Sequence, residues 1–149
     1  MRIIGIVDTW NAVAVAATFV WLGMVLAISF LEAPLKFGAP GVTVPIGLGI
    51  GRRVFRALNA VELVLAVAVV ACLALGTPER RAAVAVAVAV VVLAAQLALV
   101  RPALARRSDA VLAGVATEDA PRSRAHLWYV GAELVKVVSL LLGGAFLLA

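Results

Sequence analysis

Glu133 and Lys136 stand three residues apart inside an apolar stretch that covers residues 127–149. Hydrocarbon solvates charge poorly. A charged side chain near the centre of a membrane helix costs roughly 2.5–3.5 kcal/mol even on the lenient insertion scale, so such groups turn inward and usually mark a site. At 3.6 residues per turn, His126, Tyr129, Glu133 and Lys136 fall within about 80° of helical arc. A second polar set lies around residue 56: Arg52, Arg56 and Asn59 share one helical face, with Glu62 one step round it.

Three kinds of chemistry suit these residues. Carboxylates taken out of water, with a Lys or His competing for their protons, can relay protons near neutrality. Glu62, Glu133, Lys136 and His126 would form that relay in transport or proton-coupled binding. The same groups suit acid–base work on a lipid, quinone or other amphipathic molecule, with Glu133 as general base and Lys136 stabilising an oxyanion. Tyr129 and His126 would then orient the polar head, and no residue is nominated as a covalent nucleophile. The third reading is structural: Glu133 neutralises Lys136, Glu62 pairs with Arg56, and the chain is an accessory or scaffolding subunit. Polar bridges of that kind contribute about 0.6 kcal/mol each on average in one measured membrane protein. A metal site from Glu62, Glu133 and His126 is arithmetically possible, but one His and no cysteine cluster argue against it, and no cofactor is expected.

The elements that must position these groups follow from composition. Of 149 residues, 65% are hydrophobic and only 14% charged, against about 25% charged in an ordinary soluble domain. Mean hydropathy is +1.15. So few charges cannot cover the surface of a soluble fold, and a bilayer as solvent resolves the mismatch. The net charge of +5 reads as loop arginines that hold orientation, not as a nucleic-acid surface, since no basic stripe is interleaved with aromatics. Cys72 is the only cysteine, so the chain can form no internal disulfide. The apolar run after Trp10 is about twenty residues, longer than the roughly 7–15 of a cleavable signal, and reads as retained.

Four spans are expected in one all-α domain, an antiparallel four-helix transmembrane bundle: residues 11–31, 54–76, 82–100 and 127–149. Each approaches the ~20 residues that cross about 30 Å of hydrocarbon. The Ala–Val alternation of residues 83–90 imitates a strand, but an isolated strand could not satisfy its backbone in lipid. Residues 33–51, with Pro34, Pro40, Pro45 and five glycines, read as an irregular connection. Residues 102–116 read as a short interfacial helix opened by Pro102, with Leu104, Val111 and Val115 on one stripe. Lys36, Arg52, Arg53, Arg56, Arg101, Arg106, Arg107, Arg122 and Arg124 lie on one side, against Arg2, Arg80 and Arg81 on the other. The positive-inside rule then places both termini outside the cytoplasm of an inner (plasma) membrane. Trp10, Trp128 and Tyr129 suit aromatic belts at the boundaries.

With this topology every span brings polar groups to the cytoplasmic half. Glu32 closes the first span and Gln96 lies one turn before the end of the third. Glu62 lies about 12 Å deep, and Glu133 and Lys136 about 9 and 13 Å, at 1.5 Å per residue. The outer half holds little beyond Thr18 and Ser139. A polar cavity opening toward the cytoplasm is therefore expected, lined by Glu32, Asn59, Glu62, Gln96, His126, Tyr129, Glu133 and Lys136, with membrane lipid and a small amphipathic molecule as the expected partners. Four spans are few for a transporter, so a homo-oligomer is expected. The small-xxx-small pairs Ala83/Ala87 and Ala94/Ala98 would allow close contact.

Two segments resemble known families. FLEAPLKFGAP followed by GLGIGRRVFRALNAVE resembles small four-helix bacterial membrane proteins related to a eukaryotic four-span protein associated with cisplatin resistance. The matching steps are Ala33, Pro34 and Phe37, then Gly49 and Phe55, and the resemblance implies four spans and no agreed activity. RALNAVE is similar to a step in the membrane-bound glutathione and eicosanoid enzymes. By that likeness Arg56, Asn59 and Glu62 would hold glutathione and brace the bundle. The Arg-to-Asn interval is one residue shorter here, and the third span lacks the Arg- and Tyr-containing pattern of those enzymes.

Overall fold

The computed structural model describes the backbone of residues 2–114 and 124–149, with the side chains of 9–106, 109–110, 113–114 and 127–149. The chain is an all-α polytopic membrane protein, an antiparallel four-helix transmembrane bundle. The helices long and apolar enough to cross a membrane are Thr9–Gly38, Val44–Leu75, Arg80–Arg106 and Leu127–Leu148. They pack in a ring: first on second, first on fourth, and third on fourth. Of the four sides of the ring, the one between the second and third helices is the least closely packed.

The bundle is apolar outside, and within it an apolar core that includes Trp21, Val25, Val69 and Leu140 encloses a smaller set of polar groups. Val64, Val67, Val91 and Leu99 are more than 60% exposed, as lipid-facing side chains should be. Thr18, Glu62, Gln96, Glu133, Lys136 and Ser139 are buried. With lipid outside, apolar burial gives little drive between helices, so close packing of small residues must supply it. Ala82, Ala85 and Ala89 of the third helix are buried. Gly143 lies where an added Cβ would stand 3.2 Å from Val86, and Gly144 faces the Phe19 ring of the first helix at 2.8 Å. By contrast Ala87, Ala94 and Ala98 are exposed and Ala83 is half-buried, so the expected small-residue pairs do not pack within the chain.

Three expected boundaries are corrected. Residues 33–51 are not an irregular connection: the first helix runs on to Gly38 and the second begins at Val44, leaving only residues 39–43 as a turn. Pro45 stands in the first turn of the second helix, where its missing N–H costs nothing. Two of the glycines serve contact instead of a loop. A Cβ at Gly47 would meet the Phe37 ring, and one at Gly51 would come 2.9 Å from Lys36 Nζ. The second helix is therefore 32 residues long, about 48 Å at 1.5 Å per residue, longer than the roughly 30 Å of hydrocarbon it has to cross.

The segment after Pro102 is not a separate helix either. It continues the third helix through Leu112, and of the expected stripe only the Leu104 side chain lies among the described residues. Both internal prolines are accommodated in the same way. A π-helical stretch, Leu26–Glu32, precedes Pro34, and another, Gln96–Val100, precedes Pro102. Ala33 donates its N–H to Ile28 O and Arg101 donates to Gln96 O, each five residues back. A wider turn relieves the clash between a proline ring and the carbonyl four residues earlier. The helix thus passes through proline without ending.

Candidate functional site

Lys136 lies at the centre, with no exposure at all. An ammonium carries three hydrogens, and each has a partner. Nζ stands 2.6 Å from Glu62 Oε1 and 3.1 Å from Glu133 Oε1, and it donates to Gln96 Oε1 at 2.9 Å. The spacing of Glu133 and Lys136 along one helix brings the second pair together, while the antiparallel packing brings Glu62 to the same depth. The expected Glu62–Arg56 pair is replaced: Arg56 is exposed and Glu62 takes Lys136.

The two carboxylates are held on every oxygen. Glu62 Oε1 also accepts from Trp21 Nε1 at 2.9 Å. Glu133 Oε1 accepts from Gln96 Nε2 at 2.9 Å, and its Oε2 accepts from Ser29 Oγ at 3.2 Å. Ser29 Oγ also lies 3.4 Å from Tyr129 OH. Asn59 completes Glu62 once its amide is oriented by its neighbours, nitrogen toward the carboxylate and oxygen toward the guanidinium: the nitrogen then donates to Glu62 Oε2 at 3.3 Å, and the oxygen accepts from Arg101 at 2.6 and 2.7 Å. One ammonium cannot balance two carboxylates. Arg101, relayed through Asn59, supplies the second positive charge, which a desolvated cluster needs. Every helix contributes: Trp21 and Ser29, Asn59 and Glu62, Gln96 and Arg101, then Tyr129, Glu133 and Lys136.

The two π-helical stretches carry Ser29 and Gln96. Each sets the side chain's direction by its extra residue per turn, and such turns often occur at functional positions. Phe55 lies between this network and the 39–43 turn. Its ring meets Tyr129 edge-on at 5.5 Å, with Lys36 Nζ at 5.3 Å and Arg101 Cζ at 5.5 Å from its centre. Glu32 stands one step outside the network, paired with Lys36 at 3.2 Å. Arg52 and Asp109 form an exposed ion pair that joins the second helix to the extension of the third.

Of the eight expected site residues, six meet in the network: Asn59, Glu62, Gln96, Tyr129, Glu133 and Lys136. The His126 side chain lies outside the described residues. Tyr129 is buried and belongs to the network, whereas Trp128 is 72% exposed and faces outward. Sequence reasoning missed Ser29, Arg101 and the part played by Trp21. Ser29 was findable, since it is the one polar side chain between Trp21 and Glu32. Arg101 was hidden by its place at a span boundary, where an arginine ordinarily reads as an orientation signal.

The polar groups are packed on one another, at 1, 2 and 0% exposure for Glu62, Glu133 and Lys136. Open space lies beside them. A lateral groove of about 710 Å³ runs between the third and fourth helices, walled by Val92, Leu99, Val100, Trp128 and Val135, with Gln96 lining it. A second recess, about 420 Å³, lies at the opposite end around Asn11, Cys72, Thr77 and Phe146. Compared with protein-family models, curated proteins and solved structures, the chain shows no significant match.

Proposed function

We propose that this protein binds or translocates a small or amphipathic molecule at the Glu62–Lys136–Glu133 network, reached from the membrane. The observation that carries the reading is the groove beside Gln96, whose amide is bonded to both Glu133 and Lys136. An occupant touching Gln96 would act on the charged centre through a single side chain. A proton is the natural coupling ion, because adding one to either carboxylate removes one of the two negative charges that hold Lys136. The arginine distribution supports an inner-membrane protein with both termini outside the cytoplasm, which puts the network in the cytoplasmic half.

Native mass spectrometry of the protein, extracted gently from its membrane, tests this. A stoichiometric retained molecule that is lost in Glu133→Gln is the expected result. One observation favours a second reading, an accessory subunit: all three Lys136 hydrogens are already satisfied within the chain. A ligand-free assembly that survives Glu133→Gln would select that reading instead.

A further inference from the structure

Four small residues make the lateral groove. Ala95 and Ala103 on the third helix, with Gly131 and Ala132 on the fourth, line it where larger side chains would close the gap. An added Cβ at Gly131 would meet nothing within 4 Å. The walls carry no charged side chain, and Gln96, only 3% exposed, is the polar exception. One Gln96 amide hydrogen goes to Glu133 Oε1 and the amide oxygen accepts from Lys136. The amide has two hydrogens, and the second has no acceptor among the described residues. A buried donor left unmade is destabilising, and an acceptor in the groove would satisfy it.

We infer that the groove takes a prenylated quinone, with a ring carbonyl accepting from the Gln96 amide and the tail along the apolar wall. This rests on the proposed function and names the class of molecule. The occupant is neutral, because the walls offer no counter-charge and Arg101 already balances the buried carboxylates. Its head is an acceptor, because the spare group is a donor. The head is flat, because the Trp128 indole, 72% exposed, forms a wall on which a ring can stack and a branched glyceride head cannot. A volume of about 710 Å³ falls within the roughly 300–1,000 Å³ of ligand sites.

The test is titration of a decyl-tailed benzoquinone into the full chain in phosphatidylcholine nanodiscs, read by quenching of tryptophan fluorescence. A saturable component is expected at one molecule per chain, absent in Trp128→Phe. Gly131→Leu, which fills the groove without touching the network, should weaken it about tenfold or more with an unchanged unfolding midpoint. Ala95→Leu should do the same from the opposite wall. Quenching that rises linearly with quinone and is identical in wild type and Gly131→Leu would overturn the inference, leaving ordinary acyl chains as the cover. If native mass spectrometry then still shows a molecule lost in Glu133→Gln, only the quinone assignment falls. If no molecule is retained either, the proposed function falls with it.

Discussion

Lys136 spends all three of its hydrogens inside the bundle, on Glu62, Glu133 and Gln96, which makes it the least replaceable residue of the network. Removing one member of a buried ion pair strands the other charge at a cost of about 3–5 kcal/mol, whereas replacing a whole set with apolar groups is often neutral. Lys136→Met should therefore lower stability by about 3–5 kcal/mol, measured as thermal or denaturant unfolding in detergent. Glu133→Leu with Lys136→Leu should remain destabilised, because Glu62 loses its ammonium. Adding Glu62→Leu should recover most of the loss. If the double variant alone is as stable as wild type, the Glu62–Lys136 contact does not matter energetically. Arg52→Ala is a useful contrast, since an exposed pair contributes about 0–1 kcal/mol.

At the scale of the helices, prolines and glycines that read as breaks prove to be points of contact or turn-widening. The π-helical stretches before Pro34 and Pro102 deliver Ser29 and Gln96 to the network. Pro102→Ala restores an N–H and removes the ring clash, so the Gln96–Val100 stretch should relax to regular α-helix. One residue fewer per wide turn rotates Gln96 by about 100° relative to the helix beyond it. The expected result is equal or higher stability with loss of any retained ligand, read by unfolding and native mass spectrometry together. The glycines give a sharper comparison. Gly47→Ala pushes on the Phe37 ring and should cost about 1–3 kcal/mol, as overpacking does. Gly49 has open space around it, so Gly49→Ala should stabilise the helix by up to about 1 kcal/mol. Equal effects at the two positions would mean that the contact between the first and second helices is not formed.

At the scale of the whole molecule, the helices form a ring with its weakest side between the second and third. The third helix spans that side on both sides of Pro102: Arg101, just before it, meets Asn59, and Asp109, beyond it, meets Arg52. Orientation in the membrane is proposed from charge alone. In a Cys72→Ala background, a cysteine at Thr77 should react with a membrane-impermeant maleimide added outside intact cells, and one at Gly114 should not. The reverse pattern would invert the topology and put the network in the outer half. The exposed Ala87, Ala94 and Ala98 leave a smooth face on the third helix. It would serve the expected homo-oligomer, and cross-linking of a cysteine at Ala94 reads that contact directly.

The sequence alone determined the solvent and the architecture. Four apolar stretches of membrane-crossing length admit only helices, because lipid leaves the backbone no other partner. It also determined that Glu62, Gln96, Glu133 and Lys136 belong together, since a charge in such a stretch must turn inward and the antiparallel order fixes its depth. Tertiary structure alone decided who bonds to whom. Lys136 could have satisfied itself on Glu133 within its own helix, and only the approach of the second and third helices adds Glu62 and Gln96. Helix ends were equally beyond the sequence. Proline signals a stop unless the preceding turn widens, and whether it widens depends on packing that no local pattern records. Glycine likewise reads as flexibility until a neighbouring Phe37 or Lys36 shows that the position needs room. The groove beside Gln96 belongs to the same class, because it exists only where small residues of two helices face the same gap.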